Sequence, residues 1–165
     1  MQELLEKAFP ILKQATYLNT PSSGLLSSKL IQFRKKYDEA LHTDYNKIDF
    51  LEDEQIDSLR TKVQLYFNAK QAEVALVPSF SFGINNIVEA LPKNTKVVLL
   101  KNDYPSVNLP FEQRSFNIEY VEISENLEED IEQTLAEFNP DYLAISVVQF
   151  LNGIKIDLSF VQKMK

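Results

Sequence analysis

Lys96-Val97-Val98-Leu99-Leu100 runs directly into Lys101-Asn102-Asp103-Tyr104-Pro105-Ser106, and this stretch decides the fold. Its first five residues show no polar alternation. That is the pattern of a strand covered on both faces. The polar turn behind it leads to Ser106, a residue type that caps helices, so a helix is expected over 106–116. The same rhythm extends in both directions. Upstream, Glu73-Val74-Ala75-Leu76-Val77 reads as a short apolar strand. Ile84, Ile87, Val88 and Leu91 then form one face of a helix that ends at Pro92. Downstream, Ile118 to Ile123 reads as a third strand, and Leu127, Ile131, Leu135 and Phe138 mark a helix. Asp141 to Val148 reads as a fourth strand. Asn152-Gly153 is a turn, and a last helix opens at Asp157 or Ser159. Strands alternating with helices predict an α/β fold, a mostly parallel sheet with helices on both faces. Such sheets bind ligands where the carboxyl ends of the strands meet helix N-termini.

The N-terminal part reads differently. Glu3 to Lys13 suits a short helix ending near Pro10, and Thr16 to Asn19 an extended piece. Thr20-Pro21-Ser22-Ser23-Gly24 is a loop. Leu30, Phe33, Tyr37 and Leu41 recur at helical spacing over 27–41, and Ile56, Leu59, Val63 and Tyr66 do so on the next helix. That second helix has Glu52, Asp53 and Glu54 at its start, as the helix dipole favours. Residues 1–70 are thus a helical segment and 71–165 the α/β part. No linker rich in Pro, Gly or Ser separates them.

Composition narrows the chemistry. The chain has 165 residues and a formal net charge of −7. An acidic chain repels phosphate backbones, so nucleic acid is not an expected partner. The densest basic cluster, Arg34-Lys35-Lys36, is flanked by Tyr37, Asp38 and Glu39 and reads as a solvated helix face. There is no cysteine and one histidine, His42. Thiolate zinc sites, histidine metal clusters and cysteine nucleophiles are therefore excluded from this chain. No apolar run reaches membrane-spanning length, and the N-terminus does not resemble a signal peptide. A cytoplasmic protein is expected. There are only 3 glycines, where average usage would give about twelve. Gly24, Gly83 and Gly153 all fall in stretches read as loops.

Three loops at the carboxyl ends of strands carry the candidate chemistry. In Val77-Pro78-Ser79-Phe80-Ser81-Phe82-Gly83, two hydroxyls, a glycine and a fresh helix N-terminus make an anion cup suited to phosphate. The alternative for Ser81 is that it merely caps the helix. In Asn102-Asp103-Tyr104-Pro105-Ser106, the tyrosine can lie flat on a planar ligand, or pack on its neighbours. In Val148-Gln149-Phe150-Leu151-Asn152-Gly153, Gln149 can hydrogen-bond a ligand, or the segment is only a β-turn.

Taken in order, these loops resemble the class V aminotransferases, the fold-type I pyridoxal phosphate enzymes. Tyr17-Leu18-Asn19-Thr20-Pro21-Ser22-Ser23-Gly24 looks like an early family stretch, and Val77 to Asn86 like its phosphate loop. Asp103-Tyr104-Pro105-Ser106-Val107 looks like the segment with the ring-stacking aromatic. Ser146 to Phe150, with Gly153 and Asp157-Leu158, looks like the strand and turn at the cofactor's phenolic oxygen. The resemblance implies that 71–165 is a partial large domain of the PLP-dependent transferase fold and that the cofactor is pyridoxal 5'-phosphate. It implies that Phe80 and Ser81 bind the phosphate, Tyr104 stacks on the ring and Gln149 meets the ring oxygen. In the desulfurases that contact aligns nearer Phe150. Asn19 and Thr20 are implied to face an amino-acid substrate. The tyrosine-proline pair at 104–105 is nearer the kynureninase and isopenicillin N epimerase-like branch than the cysteine desulfurases. Aminotransferase, lyase and epimerase outcomes all fit. No lysine here has the context of the family's Schiff-base lysine, which is expected after Lys165. No catalytic residue is therefore assigned, and the chain alone is expected to be incomplete and inactive. A homodimer is implied. Two other readings are a non-catalytic binding domain on the same scaffold, and an unrelated α/β domain binding a phosphorylated small molecule at Ser79 to Gly83.

Overall fold

The computed structural model describes residues 1–44, 53–70 and 73–163. The chain divides into two compact units, Met1–Val74 and Ala75–Lys165.

The first unit is helical. Helix α1 spans Gln2–Ala8, and a 3-10 turn follows at Pro10–Lys13, where proline's missing N–H is harmless in a first turn. Helix α2 spans Ser28–Thr43, and its cap Ser27 accepts from the Leu30 amide at 3.1 Å. The Ser28 hydroxyl donates to the Lys7 carbonyl at 3.2 Å and ties α2 to α1. Helix α3 spans Asp53–Phe67. Glu52, read as part of its acidic start, lies outside the described residues. No residue of α1, the 3-10 turn or α2 is fully buried.

The second unit holds the sheet. Its elements are α4 (Phe80–Glu89), β1 (Lys96–Leu100), α5 (Pro105–Glu112), β2 (Asn117–Val121), α6 (Leu127–Phe138), β3 (Tyr142–Ala144) and α7 (Leu158–Lys163). The strand order is β2-β1-β3 and both pairings are parallel. Lys96 lies opposite Asn117, and Val97 opposite Tyr142. The apolar run is thus the central strand, and Val97 to Leu100 have no exposed surface. Side chains alternate across a strand, so the run feeds two cores. Val98 and Leu100 pack with Val121, Leu127, Ile131 and Phe160. Val97 and Leu99 pack with Val88 and Phe111 on the other face. Helices α6 and α7 therefore cover one face, α4 and α5 the other. The expected fold class, α/β with a parallel sheet and helices on both faces, is what the chain adopts.

Four local expectations are corrected. The stretch 73–77 forms no strand. Backbone in a strand needs a neighbour to hydrogen-bond, and the three-stranded sheet has none beside it; the Glu73 amide instead donates to the Lys70 carbonyl at 2.9 Å. Strand β3 is three residues long where eight were expected. At that end the polar groups are taken by loops: the Leu100 carbonyl accepts from the Asn108 side chain at 2.8 Å, and the Ser146 amide donates to Asp103 at 2.7 Å. Ser106 does not cap α5. Tyr104 occupies that position without a side-chain bond, and Pro105 opens the helix. Gly83 lies inside α4, which starts earlier than the apolar spacing suggested. Among the described residues no helix is long and apolar enough to cross a membrane.

Candidate functional site

Three loops meet at the carboxyl end of β1. The first leads into α4. Ser79 is the cap, accepting from the Phe82 amide at 3.2 Å, and its carbonyl accepts from Gly83 at 3.1 Å. The amides of Phe80 and Ser81 precede the first intrahelical bond, as helix geometry requires, and are donors at the positive end of the dipole. The first turn of α4 carries no acidic residue to oppose an anion. Ser81 is therefore not the cap. Its hydroxyl donates to the Ser106 hydroxyl at 3.1 Å, joining the first turn of α4 to that of α5.

The second loop follows β1. Asn102 takes a left-handed conformation (φ 63°). The next residue, Asp103, is turned inward and is 4% exposed. One carboxylate oxygen accepts from the Tyr104 amide at 2.6 Å, the other from the Ser146 amide at 2.7 Å. Charge-assisted bonds to backbone amides are how a buried carboxylate is satisfied. Tyr104 is 48% exposed. Its ring meets Phe150 edge-on, with centroids 5.4 Å apart and planes at 80°.

The third loop follows β3. The Gln149 amide donates to the Ile154 carbonyl at 2.8 Å, and the Gly153 amide donates back to the Gln149 carbonyl at 2.9 Å. Val148 and Lys155 pair across this turn, and Gly153 supplies its positive φ of 76°. The Gln149 side chain is 1% exposed. Its Nε2 donates to the Ser146 carbonyl at 2.7 Å, and its Oε1 is buried without a partner. Phe150 is 53% exposed and presents its ring to Tyr104.

The structure thus brings Phe80, Ser81, Tyr104 and Gln149 to one end of one sheet, with different kinds of access. Phe80 and Tyr104 are open to a ligand, and the Ser81 hydroxyl is engaged with Ser106. Gln149 is turned into the protein and braces its own loop. Asn19 and Thr20 belong to the Met1–Val74 unit, where the Asn19 carbonyl accepts from the Ser22 and Ser23 amides at 3.1 and 3.0 Å. Sequence reasoning assigned no role to Asp103, Ser146 or the Ser81–Ser106 pair. The one available signal was an acidic residue directly after a buried strand, a place where its carboxylate must find donors.

No family model and no curated protein sequence matches the chain. A search of solved structures does find a likeness. It is to a mutant of C-DES with glycine covalently linked to its PLP cofactor. The TM-score is 0.73 at 13% identity, over 96% of this chain and 44% of that one. The chain spans less than half the length of that relative, and what the two share is the fold.

Proposed function

We propose that the chain is part of a pyridoxal phosphate enzyme of the class V type, acting on an amino-acid substrate. The observation that carries this reading is the convergence at one sheet end of free α4 amides, a hydroxyl pair and a half-exposed tyrosine. Those residues fit the cofactor's two halves. The amides of Phe80 and Ser81 would hold the phosphate oxygens, and the Ser81 hydroxyl, now bonded to Ser106, would add a donor. The Tyr104 ring, packed edge-on against Phe150, would stack on the cofactor's ring. Gln149, buried and bonded to Ser146, keeps the third loop in place. The class V resemblance assigns Asn19 and Thr20 to the substrate. When bound, the cofactor supplies an electron sink for chemistry at the substrate's Cα. No lysine of this chain is assigned the covalent role. The tyrosine-proline pair favours the kynureninase and epimerase-like branch, and the working form is a cytoplasmic homodimer.

Calorimetric titration of the chain with pyridoxal phosphate and with inorganic phosphate tests this. Pyridoxal phosphate is expected to bind more tightly, with phosphate competing. Ser81→Ala should weaken both about tenfold, the size of a hydrogen bond to a charged group. Tyr104→Ala should weaken pyridoxal phosphate alone, by about fivefold to tenfold for one aromatic contact. Equal affinity for the two ligands would leave only a phosphate-binding α/β domain. Binding of neither would leave a non-catalytic one.

A further inference from the structure

Tyr104 has no side-chain cap and sits on an exposed loop, yet its backbone is held from inside the protein. The Asp103 carboxylate accepts its amide at 2.6 Å, and the same carboxylate accepts the Ser146 amide at 2.7 Å. Ser146 in turn accepts the Gln149 side chain through its carbonyl, and the loop so braced presents Phe150 to the Tyr104 ring. The contacts form a closed circuit: Asp103, Ser146, Gln149, Phe150, Tyr104 and back to Asp103. Within it, the carboxylate bridges the loop after β1 and the segment after β3.

We propose that Asp103 is the positioning residue of this site, fixing the Tyr104 ring against Phe150 so that it is preorganised for a planar aromatic ligand. The identity of that ligand rests on the function proposed above; the positioning itself does not. Asp103 is buried and both its oxygens are taken by backbone amides, so it acts through Tyr104. Each of its oxygens accepts from one backbone amide. Asp103→Asn keeps one acceptor and sets an NH2 against the other amide, so one of the two ties must break. Preorganisation of the ring matters to a ligand with an aromatic ring and not to a bare anion at the α4 N-terminus.

The experiment compares Asp103→Asn with the wild-type chain in three ways: Tyr104–Phe150 ring contacts by nuclear Overhauser effects, affinity for pyridoxal phosphate, and affinity for inorganic phosphate. The expected result is loss of the ring contacts and about a tenfold weaker pyridoxal phosphate affinity, with phosphate affinity changed less than about twofold. In a Tyr104→Ala background the same substitution should have no further effect. Unchanged ring contacts and an unchanged ratio of affinities overturn the proposal. So does a parallel loss of both affinities, which marks a merely structural residue. If wild type binds pyridoxal phosphate no better than phosphate, the functional reading fails and the ring contacts alone decide the role of Asp103. If Asp103→Asn does not fold, amide hydrogen exchange in the wild-type chain decides it. Slow, matched exchange of Tyr104 and Ser146 supports the bridge, and fast exchange at either overturns it.

Discussion

Asparagine does the backbone work that glycine usually does. Asn68, Asn94, Asn102 and Asn139 all have positive φ, between 48° and 64°, whereas Gly153 is the one glycine with such a φ among the described residues. Asparagine tolerates this region because its short polar side chain can bond locally. The chain's shortage of glycine is therefore no shortage of tight turns. Asn139 ends α6 in this way at φ 48°. Asn139→Ala should destabilise the chain by about 1 kcal/mol, and Asn139→Gly should not, as thermal unfolding would show. Tyr120 offers a test by pH. Burial first, and then the hydrogen bond from its hydroxyl to the Glu112 carboxylate at 2.8 Å, push its pKa from 10.0 up to about 12. The folded state thus keeps the proton longer than the unfolded chain. The stability this contributes is complete below pH 10 and lost as pH rises towards about 12. Tyr120→Phe should lose less stability than wild type across that window, measured by urea unfolding at each pH.

At the scale of elements, two similar sequences meet different ends. Lys96–Leu100 and 73–77 are both short apolar runs bounded by polar residues. The first is the central strand and the second is not a strand. Periodicity describes which faces a segment can bury, whereas pairing depends on residues far away in sequence. Helices are more local, so α2 and α6 lie close to where their apolar spacing puts them. The cap of α5 is Tyr104 and not Ser106, because Pro105 favours the first helical position and moves the start back. Leu99 is fully buried in the core shared by β1, α4 and α5. Leu99→Ala should cost about 2–5 kcal/mol in denaturant unfolding, the range for emptying a packed core position. Gly83 lies inside α4, and an added Cβ would meet only the Val77 side chain at 3.4 Å. Gly83→Ala should therefore stabilise the chain by about 0.5–1 kcal/mol through helix propensity. A loss instead would show that the first turn of α4 needs glycine's freedom.

For the whole molecule, the homodimer proposed above makes its own prediction. The apolar stripe of α2, Leu30, Phe33, Tyr37 and Leu41, is exposed. A stripe of that kind on a helix is a surface that association can cover. Sedimentation equilibrium should find the wild-type chain associating, and Phe33→Glu should shift it towards monomer. A monomeric wild type at about 100 μM would count against the dimer, since specific interfaces of ordinary size hold well below that concentration. By itself the sequence determined the alternation of helices and strands, the buried central strand and the three loops that hold the candidate site. All of these follow from local periodicity and turn chemistry. Only the tertiary structure decided that 73–77 stays unpaired, that Ser81 bonds Ser106, and that Gln149 turns inward. It also decided that Asp103 bridges two loops. The Ser81–Ser106 and Asp103–Ser146 bonds join segments that are brought together only when the sheet forms, and hydrogen bonds at such distances leave no trace in local sequence.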